Sequence, residues 1–148
     1  MEIVKRKSNR VDFKNGGIYF LVFLGVNFIL QKLLPFINSY INMRGNVTAE
    51  NFALFGIYIL ILVASISVST NTLKSYLKFD NKKSAVVAAT IFYALYLFIF
   101  QLQSYIGDIL NGAVRVDELF YLQVSFIIIS VMVFYFLSLK LLRVPQKN

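Results

Sequence analysis

A chain of 148 residues that is 58% hydrophobic, with a mean hydropathy of +0.69, lies above the roughly 45–50% apolar content of soluble domains and has room for a single domain, 1–148. It contains neither cysteine nor histidine, which excludes disulfides, thiolate chemistry and iron–sulfur ligation and removes the usual zinc and haem ligands, so no metal or cofactor is expected. A net charge of +8 would suit nucleic acid only if the basic residues shared one accessible face; apolar segments divide them, so nucleic acid is not an expected partner.

The chain opens with a basic leader, 1–16, carrying Lys5, Arg6, Lys7, Arg10 and Lys14. Lys5, Arg6, Lys7 and Arg10 are expected to lie against anionic lipid headgroups, at about 1 kcal/mol per basic residue, with a cytosolic partner as the other reading. The first apolar run, 17–38, is near the roughly 20 residues needed to cross a hydrocarbon core. It is too long for a signal peptide and no small-residue cleavage site follows, so it reads as a retained helix.

Within it, FILQKLLPF (28–36) interrupts the apolar pattern with Gln31 and Lys32. Counted from Ile18, Lys32 falls about 21 Å along a helix, in the outer third of a bilayer. It can snorkel to the headgroups, or it can point into the bundle to meet an anionic group. Pro35 sits close to the expected helix end, where a lost backbone bond is least costly.

An outer loop follows, in which Asn46-Val47-Thr48 forms a glycosylation triplet of a kind that arises often by chance. The second run, 52–73, carries Ser65 and Ser69, small residues four apart that suit a close helix contact. With Ser67 and Thr70 they could instead line a wet crevice. A basic loop with Lys74, Lys78, Lys82 and Lys83 leads to the third run, 85–106, where Ala85, Ala89, Thr90 and Ala94 repeat the small-residue spacing. The fourth run, 119–142, ends in a basic tail, 143–148. Backbone in lipid must satisfy its own hydrogen bonds, so these four runs are expected to be helices. The fold class is all-α, a four-helix integral membrane bundle.

Twelve of the fifteen Lys and Arg fall in the leader, the central loop and the tail, whereas the other two loops hold Arg44 and Arg115, with Lys32 nearby. Basic residues resist translocation, which places both termini in the cytosol of a multi-pass cell-membrane protein. Tyrosines fall toward the ends of the runs, Tyr19 and Tyr76 inside, Tyr40, Tyr105 and Tyr121 outside, as in an aromatic belt.

A shift of 70 residues lays FILQKL (28–33) over FIFQLQ (98–103), so that Gln31 falls on Gln101. Two tandem hairpins forming parallel repeats are one reading; chance likeness between apolar segments is the other. In the first case Gln31, Lys32, Gln101 and Gln103, with Asp108 beyond, form a polar cluster open to the outer side. In the second they only hold helices together. No acidic residue lies mid-span, and no hydroxyl has a histidine or a buried carboxylate as base, so proton coupling and enzymatic catalysis lack their usual parts.

FLVFLGVNFIL (20–30) resembles the Phe-Leu…Gly-x-Asn pattern that opens the first helix of the GtrA-like small membrane proteins, with Gly25 and Asn27 in the matching places. FLSLKLLRV (136–144) is similar to that family's Phe-Leu-Leu-Asn-Arg-x-Trp-Val-Phe ending, with Leu139 where the asparagine belongs. The first hairpin departs further, Asn71 preceding Phe79 by three residues too many. The resemblance implies handling of polyprenyl-phosphate-linked sugars beside a glycosyltransferase. Asn27 and Lys32 would then meet phosphate or sugar, and Gly25 would be a helix-packing position.

The leading expectation is a non-enzymatic membrane protein acting by assembly, with itself or with another membrane protein, in moving or presenting a lipid-linked anionic glycan precursor. The alternatives are an oligomeric pore or holin-like or defence effector, and a structural subunit or immunity protein.

Overall fold

The computed structural model describes residues 11–41, 47–76, 82–111 and 118–142. They form five helices, α1 (Phe13–Gln31), α2 (Leu34–Ile41), α3 (Val47–Tyr76), α4 (Lys82–Leu110) and α5 (Glu118–Leu142), with no strand among the described residues. Four segments are long and apolar enough to cross a membrane, Phe13–Ile37, Ala53–Lys74, Lys82–Phe100 and Gln123–Leu142. They are the four apolar runs of the sequence, with ends displaced by a few residues.

Asp12 starts α1. One carboxylate oxygen accepts the Asn15 backbone N–H at 3.1 Å and the other accepts the Asn15 side-chain amide at 2.6 Å, satisfying an otherwise orphaned helix donor. Pro35 decides where α1 ends. A continuous helix would need an N–H at residue 35 to reach the Gln31 carbonyl, and proline has none, while its ring collides with that carbonyl. The chain closes instead through two tight bonds, Lys32 N–H to Ile29 O at 3.1 Å and Leu33 N–H to Leu30 O at 3.0 Å. Helix α2 then restarts with Pro35 in its first turn, where proline is tolerated. The expected single helix across 17–38 is therefore two helices joined at Lys32–Leu33.

Helix α1 packs against α3 and α4, and α5 packs against the same two. Contacts between residues of like depth make α1 parallel to α4. The Asp12 N–H donates to Ser84 Oγ at 2.6 Å, and the Phe23 and Tyr93 rings meet edge-on at 5.1 Å. Antiparallel pairing closes the other sides, with Lys82 Nζ at the start of α4 donating to the Leu142 carbonyl at the end of α5, 3.3 Å away. That contact places a cation on the carbonyl-rich end of a helix.

The α1–α4 contact is tight at Gly16, where an added Cβ would overlap Ala88 Cβ and lie 2.8 Å from the Ala85 carbonyl oxygen and 2.9 Å from the Ala89 nitrogen. Ala85, Ala88 and Ala89 are fully buried, so small residues on both sides let the backbones touch. Farther along, Phe23, Tyr93 and Phe134 form an aromatic core, with Phe134 centred 4.8 Å from Phe23 and 4.9 Å from Tyr93.

Large apolar side chains also cover the outside. Leu21, Ile29, Leu60, Phe100, Met132 and Phe136 are all more than half exposed, while Ser65, Ser69, Thr70, Ser130 and Ser138 are fully buried. A water-soluble bundle turns a polar stripe outward; this one keeps hydroxyls inside and hydrocarbon outside, which suits lipid as its solvent. At the end where α1 and α4 begin, Lys14, Lys74, Lys82, Lys83 and Lys140 are exposed, and the remaining described cation, Lys32, is at the far end.

Candidate functional site

One face of α1 carries Tyr19, Phe23, Asn27 and Gln31, spaced by four so that they stack along a single line. Opposite it, α3 presents Ser65, Ser69 and Thr70, and α5 contributes Ser138. The result is a polar seam running from the basic end of the bundle toward the α1–α2 break.

At the basic end, the Tyr19 hydroxyl lies 2.9 Å from Thr70 Oγ1 and 2.7 Å from Ser138 Oγ. This single phenol joins three helices. Farther along, Asn27 Nδ2 donates to Ser65 Oγ at 3.1 Å, and Gln31 Nε2 donates to Asn27 Oδ1 at 2.8 Å. Ser65 also donates to the Ile61 carbonyl at 2.7 Å, and Ser69 to the Ser65 carbonyl at 2.6 Å. These back-bonds into their own helix satisfy hydroxyls that lipid or an apolar core would leave unpaired.

Lys32 stands where α1 breaks. It is exposed, with its ammonium 4.9 Å above the Phe28 ring, a cation–π placement on the outer surface of its own helix. Lys14 and Lys32 are eighteen residues apart, about 27 Å of helix, close to the thickness of a hydrocarbon core. Because α1 begins at Phe13 rather than Ile18, Lys32 is nearer the end of the apolar span than a count from Ile18 suggests.

The other candidates separate. Gln103 is exposed and lines a groove with Phe98, Ile99 and Ile106, whereas Gln31 bonds within α1. The side chains of Gln101 and Asp108 lie outside the described ones, as do residues Lys5, Arg6, Lys7 and Arg10 and the Asn46 triplet position. Ala85 and Ala89 meet Gly16, and Ala94 is half-buried. Gly25 is exposed and a Cβ there would meet nothing within 4 Å, so the expectation of a packing role within the described chain is corrected in favour of Gly16. Tyr19, expected in an aromatic belt, is fully buried at the three-helix node.

Sequence reasoning missed Gly16, Ser138 and the role of Tyr19. The signal for the first was present in the alanine-rich start of α4, which needs an equally small partner. It passed over Gln123 as well, whose Oε1 is buried without a hydrogen-bond partner among the described residues. Among the described residues no group of three His, Cys, Asp or Glu could hold a metal ion.

No family model, curated protein or solved structure matches this chain.

Proposed function

We propose that this chain is an integral membrane protein with both termini in the cytosol, which acts by assembly rather than by catalysis and presents or translocates a lipid-linked anionic substrate. The observation that carries this reading is Lys32, an exposed cation beside the exposed apolar side chains of Phe28, Ile29 and Leu33, set at a helix break about 27 Å along α1 from Lys14. A lysine there can meet a lipid phosphate as a point charge while the lipid's chains lie along Phe28, Ile29 and Leu33, all more than half exposed.

The gathering of five described lysines at the opposite end agrees with a cytosolic face there. The side-by-side hairpins α1–α3 and α4–α5 agree with parallel repeats. The resemblance to the GtrA-like proteins points to the same substrate class, a polyprenyl-phosphate-linked sugar.

Purification in mild detergent followed by mass measurement of the intact assembly tests the reading, since it reports copy number, partner and bound lipid together. A co-purifying anionic lipid that is lost in Lys32→Ala, with the fold intact, is the expected result. Ring-shaped oligomers with dye leakage from vesicles would replace the reading with a pore, and a reporter fused after Asn148 that appears outside the cell would reverse the topology.

A further inference from the structure

We infer that the seam between α1 and α3 is the route by which a lipid's phosphate headgroup crosses the bilayer, its chains remaining in the hydrocarbon. The inference rests on the proposed function and adds the path. Gln31, Asn27, Ser65, Ser69, Thr70, Tyr19 and Ser138 place hydrogen-bonding groups from the Lys32 end of the bundle to the basic end. The Phe23 ring, between Asn27 and Tyr19 on α1, is turned onto Tyr93 and Phe134, and Ser65, Ser69 and Thr70 of α3 carry the polar line past it. From Gln31 to Tyr19 is twelve residues, about 18 Å of helix. The two helices that form the seam carry cations at both ends, Lys32 on α1 at one, Lys14 on α1 and Lys74 on α3 at the other, all exposed. An anion therefore has a landing charge at each end and neutral donors in between, so that it is attracted without being trapped in the middle.

The seam is also the side on which α1 can part from its neighbours. Against α4, α1 is held by the Gly16 contact with Ala85, Ala88 and Ala89. It is held too by ring packing, Phe20 on Phe92 at 5.9 Å and Phe23 on Tyr93 at 5.1 Å. Neither contact can be exchanged for a headgroup. Against α3, Leu62 and Ile66 share the core with Tyr19 and Phe23. The side-chain hydrogen bonds there among the described residues include Tyr19 to Thr70 and Asn27 to Ser65, individually weak in a membrane. Phosphate and sugar oxygens can take over the donors that such bonds release, so opening leaves few groups unpaired.

The test reconstitutes the full chain in phosphatidylcholine vesicles containing either a fluorescent phosphatidylglycerol or a fluorescent polyprenyl phosphate. Loss of fluorescence to a membrane-impermeant quencher follows transfer between leaflets. Wild type is expected to accelerate transfer of at least one probe, and which probe moves separates a general phospholipid from the prenyl carrier. Replacing two seam groups in Asn27→Leu/Ser65→Ala should slow transfer about tenfold or more, the factor that about 1.4 kcal/mol of lost contact produces. Asn27→Ser, which puts a hydroxyl in place of the amide, should stay near wild type. A merely adhesive seam would lower the melting temperature without changing the transfer rate below it.

Transfer in the double variant within about twofold of wild type overturns the route while leaving the proposed function in place. Wild type that moves neither probe overturns the route and the translocating half of that function. If the double variant does not fold, Gln31→Leu, at an exposed position, carries the same test, and an unchanged rate there overturns the route.

Discussion

Gly16→Ala and Gly25→Ala are the same substitution in the same helix, and the structure assigns them opposite outcomes. At Gly16 the new methyl would overlap Ala88 Cβ and press on backbone atoms of α4 at 2.8 and 2.9 Å. Backbone cannot rotate out of the way as a side chain can, so α1 and α4 must separate; overpacking of this kind costs about 1–3 kcal/mol. At Gly25 nothing lies within 4 Å, and only the helix-propensity gain of alanine over glycine remains, at most about 1 kcal/mol. That gain is common to both positions and cancels in the comparison. Gly16→Ala should therefore unfold more readily than Gly25→Ala by about 1–3 kcal/mol, measured by titrating a denaturing detergent into protein held in mild micelles. Equal stabilities, within about 0.5 kcal/mol, would refute the α1–α4 contact.

Tyr19→Phe removes the phenol that joins Thr70 and Ser138 and should cost about 1 kcal/mol, because both hydroxyls can turn back to their own helices. Thr70→Val should cost less in that background than alone; strictly additive losses in a double-mutant cycle would argue against the node. Pro35→Ala restores an N–H and removes the ring clash, so α1 and α2 should fuse. Spin labels at Leu21→Cys and Phe36→Cys, both at exposed sites in a chain without cysteine, should then report about 22 Å along one straight helix. A separation unchanged from that of the Pro35 protein would mean that proline is not what breaks the helix.

The four apolar segments were legible because length and composition alone decide whether a helix can cross lipid. The break at Lys32 was half legible. Pro35 was visible, but a proline near a helix end either terminates it or begins the next, and the choice depends on whether the following turn finds a surface, here α3. The seam was less legible. Ser65, Ser69 and Thr70 stood out as hydroxyls, yet which of them meet another helix depends on rotation about the helix axis, and an apolar helix has no polar stripe from which to read it. Tyr19 was misplaced for a related reason. A tyrosine near a helix end fits an interfacial belt or a buried node equally well, and only the hydroxyl-bearing neighbours on α3 and α5 distinguish the two. Gly16 required knowing that α1 and α4, remote in sequence, lie in parallel contact.

The pairing of α1 with α4 also bears on whether the seam only holds helices together. The Phe23–Tyr93 contact joins positions 70 residues apart, the same shift that superposes Gln31 on Gln101. Under that shift the seam residues Tyr19, Asn27, Ser65, Ser69 and Thr70 fall on Ala89, Leu97, Tyr135, Leu139 and Lys140. The second hairpin buries Ser130 and Ser138 on α5 but has apolar side chains where the first has Tyr19, Asn27 and Ser69. Adhesion between α1 and α3 did not require amides and hydroxyls, and hydrocarbon packing is the less costly solution in lipid, where any polar group left unpaired is penalised. The bonded set Gln31, Asn27 and Ser65 lies on the first hairpin, next to Lys32, which is where a single route through the bundle needs it. Grafting Asn27 and Ser65 onto the other hairpin, as Leu97→Asn and Tyr135→Ser, should leave the transfer rate unchanged, since only the first hairpin has a lysine at the break to receive the headgroup; a rate raised by the graft would show that polarity alone makes the path.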